Sequence, residues 1–378
     1  MEEELVAGSS GGLDLVVEEE LVAGDWISWR NGELRSRGGM GIRERSRGGG
    51  RGILIRERSI EEDWGSERLG RDLGIWVFLG DVAAARPPEH LPSLLNMLQA
   101  RGEKIISPAA KEGLIPLVIP LSESPSGALT SLLRWPTSPV GMEMPVVEVH
   151  KYGVWYLAKS VDQFIHRMLV EEDANNSQDS NDNLWEAASG VGAKFYKKGD
   201  VLESGINDLD IYLLKKVGLF PDVIERKVAR HFEKGDQVSA LVTGEFYTRN
   251  HFPGFGRPFV FNAEVLLKVG RNLEAKDAAR GALKSPWWTL GCRYHEVAEI
   301  AEWDDEQIEY IKEKVSDEVK LEDLKKGKAP EQVALDEAAF LLDLASVEGT
   351  WDEVIDRVAA CYVEAGLHEV AKFVLYRE

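Results

Sequence analysis

The chain is poor in cysteine, in long apolar runs and in positive charge, and each shortage closes off a class of protein. Two cysteines in 378 residues, Cys292 and Cys361, cannot make a disulfide framework, so a reducing compartment is expected. The longest apolar stretches, Leu114–Leu121 and Gly74–Gly80, fall far short of the roughly 20 residues that a membrane-spanning helix needs. Lys and Arg number 45 against 65 Asp and Glu, a net charge of −20. That bulk charge opposes wrapping of the chain around nucleic acid or an anionic bilayer. There is no apolar core of a secretory signal, and Met1 is followed by three glutamates rather than the Arg- and Ser-rich run of a transit peptide. The signatures GxxxxGK[ST], GxGxxG and GxSxG are all missing. The expectation is a protein without cofactor, metal or catalytic site.

What is present is uneven along the chain. Residues 1–72 repeat EEELVAG at Glu2–Gly8 and Glu18–Gly24, and IRERS at Ile42–Ser46 and Ile55–Ser59. From Trp26 to Ile60 nine Arg face three acids, a local +6 in an acidic protein. Glycine raises the entropy cost of ordering and spaced arginines repel, so a disordered Gly/Arg-rich leader is expected over 1–72. Arginines of this kind can hold RNA through phosphate contacts and stacking. Only Trp26 and Trp29 accompany them.

Residues 74–172 read as a small α/β segment. Leu94, Leu95 and Leu98 give Leu91–Ala100 a helical apolar face. Leu114–Leu121 is strand-like, with Pro116 and Pro120 expected to hold it at a sheet edge, and Ala128–Trp135 is a second strand. Val146–His150 and Val154–Ala158 flank Lys151-Tyr152-Gly153, the pattern of a β-hairpin. Ser160 is placed to cap a helix carrying Val161, Phe164, Ile165 and Met168 on one face. His150 and His166 fall in this segment without a nucleophile or acid at a recognisable spacing; an unrecognised active site here would centre on them. The Asn-rich acidic stretch 173–183 is expected to be a linker.

From Leu184 the period is helical. A helix, a Gly-bearing turn and an Ala five residues after the Gly recur as Gly235 with Ala240, Gly270 with Ala275, and Gly366 with Ala371. The first two glycines are 35 residues apart (270 − 235), close to the ~34-residue tetratricopeptide period. Asn262–Pro286 resembles one tetratricopeptide unit, with Gly270, Ala275, Ala282 and Pro286 near the consensus places. The HFPGFGR insert at His251–Arg257 interrupts the spacing, so an irregular TPR-like helical repeat is expected over 184–378. The fold class is then mainly α. One continuous helix is expected over Asp304–Val319, with Lys320–Lys328 as a solvated helix end and linker.

Two places stand out as sites. Arg249, His251, Phe252, Phe255 and Arg257 sit on a loop shaped by glycine and proline, and aromatics beside arginine are the composition of interface hot spots. The alternative is that both phenylalanines tuck into the helical core and fix the loop. Trp287 and Trp288 join them, one expected to pack inward and its neighbour to point elsewhere. Cys292-x-x-His295 has the spacing of half a metal site, but the second half is missing, and no metal is expected.

The stretches VVEVHKYGVWYLAKSVDQFIHRMLVEEDA (146–174) and NHFPGFGRPFVFNAEVLLKVGRNLEAKDAARGALKSPWWTLG (250–291) resemble a plant and algal plastid family. Some of its members are labelled delta-type cyclin, although the five-helix cyclin-box pattern is not seen here. The likeness covers roughly residues 92–378. It implies a chloroplast protein, stromal or peripheral to the thylakoid, that binds protein partners. An auxiliary role in assembling a photosynthetic or ATP-synthase-type complex follows from that setting. An RNA- or nucleoid-associated protein using the arginine-rich arm is the reading from a different class.

Overall fold

The computed structural model describes residues 78–83, 85–175, 183–303 and 306–377. The expected Gly/Arg-rich leader lies outside them, as does most of the stretch expected to be a linker.

Five strands form one antiparallel meander in the order β1-β2-β3-β4-β5, namely Lys104–Ile105, Val118–Glu123, Leu129–Leu133, Val146–His150 and Gly153–Ala158. The hairpin read from the sequence is β4–β5, with His150 opposite Gly153 and Val149 opposite Val154. One expectation is corrected. The strand carrying Pro120 is not at the edge but second, between β1 and β3. Proline is accommodated because β1 is two residues long and pairs only with Glu123 and Ser122. Pro120 lies beyond its reach, beside a register shift, where no ladder donor is demanded. Consecutive residues Val118–Ser122 are all buried, so β2 is covered on both faces.

Helix α1 (Leu91–Ala100) precedes the sheet and α2 (Val161–Asn175) follows it. Ser160 Oγ accepts from Gln163 N at 3.3 Å, the cap that the sequence suggests. Next come α3 (Asn183–Phe195), α4 (Asp200–Glu203) and α5 (Leu209–Tyr212), the last running into a π turn at Leu213–Val217. Arg167 of α2 reaches Asp222, donating to both carboxylate oxygens at 2.8 and 2.6 Å. Burial lifts the Asp222 carboxyl, but this guanidinium outweighs it and holds the group below the usual range.

The glycine-alanine pattern is realised as three helical hairpins: α6 (Pro221–Glu233) with α7 (Gln237–Thr248), α8 (Arg257–Lys268) with α9 (Asn272–Ala282), and α14 (Trp351–Glu364) with α15 (His368–Leu375). Gly235, Gly270 and Gly366 each turn the chain at positive φ, +71°, +79° and +75°. That region costs an ordinary L residue about 1–2 kcal/mol. Ala240, Ala275 and Ala371 are buried, the small side chain letting the second helix approach the first. The first two hairpins stack, since α8 packs on both α7 and α9.

Between the second and third hairpins lie a 3₁₀ turn (Trp287–Thr289), α10 (Tyr294–Ala301), α11 (Glu306–Lys314), α12 (Asp317–Lys325) and α13 (Pro330–Glu348). The single helix expected over Asp304–Val319 is two, because Ser316 ends one and caps the next, its Oγ accepting from Val319 N at 3.4 Å. The following segment is not simply solvated. Lys320 pairs with the buried Glu337 at 2.5 Å and Lys328 with Asp336 at 2.5 Å.

The largest buried cluster joins the sheet (Leu121, Val147) to α1, α2 and α6 and to the last hairpin (Trp351, Val358, Phe373). A second lies among α8, α9, α10 and α13, and a third, small one holds Val228, Ala240 and Val265. Lys111 is wholly buried in the first, its Nζ donating to the Phe373 carbonyl at 3.0 Å and lying 3.8 Å from the centre of that ring.

Candidate partner-binding site

Three loops converge on β5: residues 134–145 between β3 and β4, 249–256 between α7 and α8, and 283–293 around the 3₁₀ turn. Tyr156 meets Phe252 and Phe255 edge-on, with ring centres 5.2 and 5.0 Å apart. Trp135 meets Trp288 at 4.8 Å and Phe255 at 6.2 Å. Such T-shaped contacts contribute about 0.5–1.5 kcal/mol beyond area burial. Gly256 N–H donates to the buried Thr289 Oγ1 at 2.9 Å. The cavity left among Val154, Tyr156, Tyr247, Phe255 and Thr289 is about 10 Å³, at the lower limit for one water.

Arg257 opens α8 and carries the electrostatics. Its Nε and Nη2 donate to the two oxygens of Glu225 on α6 at 2.9 and 2.8 Å, and its Nη1 donates to Glu264 at 2.9 Å. The guanidinium also lies over Trp155 and Phe261, 5.1 and 5.5 Å from the ring centres. Burial opposes its charge, but the Glu225 carboxylate more than offsets this and holds the group above its ordinary range. Tyr247 OH donates to Glu225 at 3.3 Å and is pushed well up by burial. This is a planar, multiply bonded arginine in a dry setting. It ties α6, α8 and β5 together.

The residues singled out from the sequence come together here, but mostly as interior. Phe252 and Phe255 are buried, packed against β5 rather than offered to solvent. Both tryptophans are buried as well, correcting the expectation of one inward ring. The 3₁₀ turn sends them into different cores: Trp288 to the one containing the sheet, Trp287 to the one among α8–α10. There Trp287 Nε1 donates to the Leu283 carbonyl at 3.2 Å, its backbone N–H donates to Asp343 at 2.7 Å, and its ring centre lies 4.2 Å from that of Tyr294. His251 is half-buried against Phe246 at 4.4 Å, its imidazole pushed down by burial and by Arg249. Arg249 and Asn250 are exposed, as is Val140 at the tip of the β3–β4 loop. Exposed residues of these loops include Arg249, Asn250, Val140 and Glu143.

Glu225, Tyr247, Tyr156 and Thr289 complete the cluster without a sequence signal. Glu225 and Arg257 are 32 residues apart, and no helical or strand period pairs positions at that distance. Elsewhere, Cys292 is half-buried with its thiol pushed up to about 12 by burial, and His295 is exposed 3.9 Å from Glu348. His150 lies at the exposed end of β4 beside Glu148 at 3.1 Å, and His166 rests on Tyr196, pushed down by burial.

Against known families, the descriptions PAB N-terminal, PAB middle domain and PAB C-terminal domain match residues 74–216, 221–304 and 308–376 in succession. A curated Arabidopsis thaliana protein, "Protein IN CHLOROPLAST ATPASE BIOGENESIS, chloroplastic", is 65% identical over 302 residues, covering 80% of this chain and 90% of the relative. The chain belongs to the PAB family. The plastid setting implied by the sequence stands with it, and the chain is a chloroplast protein. No solved structure matches it. In PAB terms, Glu225 and Arg257 are both residues of the middle domain, while Trp155 and Tyr156 belong to the N-terminal one. The cluster is thus a joint between two named domains. The stretch 173–183 falls inside the first of them.

Proposed function

We propose that this chain is a non-catalytic assembly factor for the chloroplast ATPase, and that its stacked hairpins bind a protein client. The observation that carries the reading is the 65% identity, over 90% of its length, to a relative named for chloroplast ATPase biogenesis. The architecture agrees with a binding role. We read α6–α7 and α8–α9 as tetratricopeptide-like units, and such stacks build extended surfaces because no single helix pair can bury its apolar face alone. The Arg257 joint fixes those units on the sheet, so the scaffold meets its client preorganised. The exposed Arg249 and Val140 are part of the contact surface, on loops that the buried aromatics hold in place.

The test is replacement. A plant lacking the Arabidopsis relative and expressing this chain should recover chloroplast ATPase to near its ordinary level, measured as assembled complex on native gels. Recovery of the protein without recovery of the complex would overturn the reading.

A further inference from the structure

One stretch of the chain lies on the body without burying anything in it. Residues 316–332 contain no buried residue, the longest such run among the described residues. The run begins just past Ile311 and Val315, which are buried, and ends where α13 brings Val333 back to the interior. Helix α12 (Asp317–Lys325) lies wholly inside it. Its Val319 is half-buried, while Leu321 is 55% exposed and Leu324 40%. A surface helix ordinarily sets an apolar stripe against the core, and that packing supplies most of its stability. α12 has almost none of it.

What holds α12 is charge. Lys320 reaches Glu337 of α13 at 2.5 Å, and Lys328, just past the end of α12, reaches Asp336 of α13 at 2.5 Å. Lys328 also pairs with Asp323 at 3.1 Å, which ties the end of α12 to the same anchor. The buried Glu337 does not depend on α12 for its counter-charge. Arg357 of α14 donates to it from Nε at 2.8 Å and stands 2.6 Å from it at Nη2. Lys320 can therefore leave without stranding an unpaired carboxylate, the event that makes breaking a buried pair costly. The members of the Lys328–Asp336 pair are 30% and 31% exposed, open to screening by salt. On the near side of Ser316, Arg357 Nη2 holds the Val315 carbonyl, so α11 is anchored separately.

We propose that residues 316–328 are an ion-pair latch, which lifts off α13 as a unit while the rest of the fold stays closed, and that ionic strength sets how often it is open. A segment with little buried apolar surface opens at a free energy well below that of global unfolding. When the latch lifts, Lys320 and Lys328 pass into solvent and the Glu337 and Asp336 carboxylates lose the lysines that cover them. Glu337 keeps Arg357, and no core residue leaves the interior. The open chain thus presents a pair of carboxylates on α13 that the closed chain neutralises. The latch is independent of the assembly-factor reading.

Hydrogen exchange of the full chain, read peptide by peptide, tests it. At low salt the α12 amides should exchange faster than those of α13 and α14, yet more slowly than in an unfolded peptide. Raising the salt to about 0.5 M should speed α12 several-fold and leave α13, α14 and the sheet within about twofold. Lys320→Gln with Lys328→Gln should speed α12 about tenfold at low salt and remove most of its response to salt. Lys326→Gln is the control, because its partner Glu322 lies within α12 itself, at 2.8 Å. It should change the α12 rate by no more than about twofold. Unchanged exchange in the sheet verifies that each variant keeps the fold, and the salt response of the parent needs no variant. Exchange of α12 in step with α13 under every condition would mean that it opens only by global unfolding, and overturns the proposal. So does α12 exchange already at the unfolded rate in low salt, or a rate indifferent to salt and to the double substitution. Failure of plant complementation would leave this result standing, and failure here would leave the assembly role intact.

Discussion

Gly153 lies directly under the backbone carbonyl of Trp288, so close that a side chain at 153 would occupy the same space. Its φ of +151° adds to the requirement for glycine. On the other side of the same β4–β5 turn, Trp351 donates its indole N–H to the Lys151 carbonyl at 2.9 Å. The hairpin tip is thus gripped between the 3₁₀ turn and the start of α14. Gly153→Ala should destabilise the protein by about 3 kcal/mol, combining overpacking with backbone strain. Urea denaturation would measure it, and a loss below about 0.5 kcal/mol would show that the grip is looser than described.

The burial of Phe255 and the exposure of Arg249 make opposite predictions for neighbours on one loop. Phe255→Ala should cost about 3–5 kcal/mol of stability. Arg249→Ala should change stability by no more than about 0.5 kcal/mol and act on client binding instead. Paired denaturation and binding measurements separate the two. Equal stability losses would place Arg249 in the scaffold.

Arg257 and Glu225 should behave as a buried pair. Arg257→Ala leaves a carboxylate without its partner and should cost about 3–5 kcal/mol, whereas Arg257→Met combined with Glu225→Leu should cost only about 1–3 kcal/mol, from the Tyr247 hydroxyl that loses its acceptor. Arg257→Lys should recover only part of the single loss, since an ammonium cannot make two parallel bonds. A double substitution as harmful as the single one would mean that the pair is not the origin of the loss. Denaturant midpoints of the four proteins decide it.

Stability should rise with pH above neutrality because of Lys111. Burial, helped by the nearby Arg377, lowers its pKa from 10.5 to about 7. Between those values the unfolded chain carries a proton at this position that the folded chain does not. The slope from this one group is at most about 1.4 kcal/mol per pH unit. Lys111→Met should remove it, so the unfolding free energies of parent and variant should converge or cross between pH 7 and about 10. Parallel curves over that window would retire the assignment.

The parts of the fold legible in the sequence are those specified within a few residues. The Lys151-Tyr152-Gly153 turn with its flanking strands, the Ser160 cap and the three glycine turns all carry their own local chemistry. Even the break at Ser316 was written locally, as a serine before Asp317 and Glu318, but the charged periodicity of Asp304–Val319 runs across it and masks the cap. The fate of Phe252, Phe255, Trp287 and Trp288 was not legible. Aromatics on a glycine-shaped loop are equally suited to an interface and to covering a strand edge. Only Tyr156 and Trp135, far away in the chain, decide between the two. Pro120 likewise reads as an edge residue unless one knows that β1 stops short of it.

Phe373, in the last helix, packs against Phe78 with ring centres 6.2 Å apart and accepts a hydrogen bond from Lys111 Nζ on its carbonyl. The earliest and latest described segments therefore close the same core. During synthesis, Lys111 and Phe78 stay without this cover until α15 is made. A nascent chain stalled before residue 368 would be a client for chaperones rather than a partner to anything. Shortening the protein by its final helix should accordingly remove it from the cell by proteolysis, however intact the rest of its code.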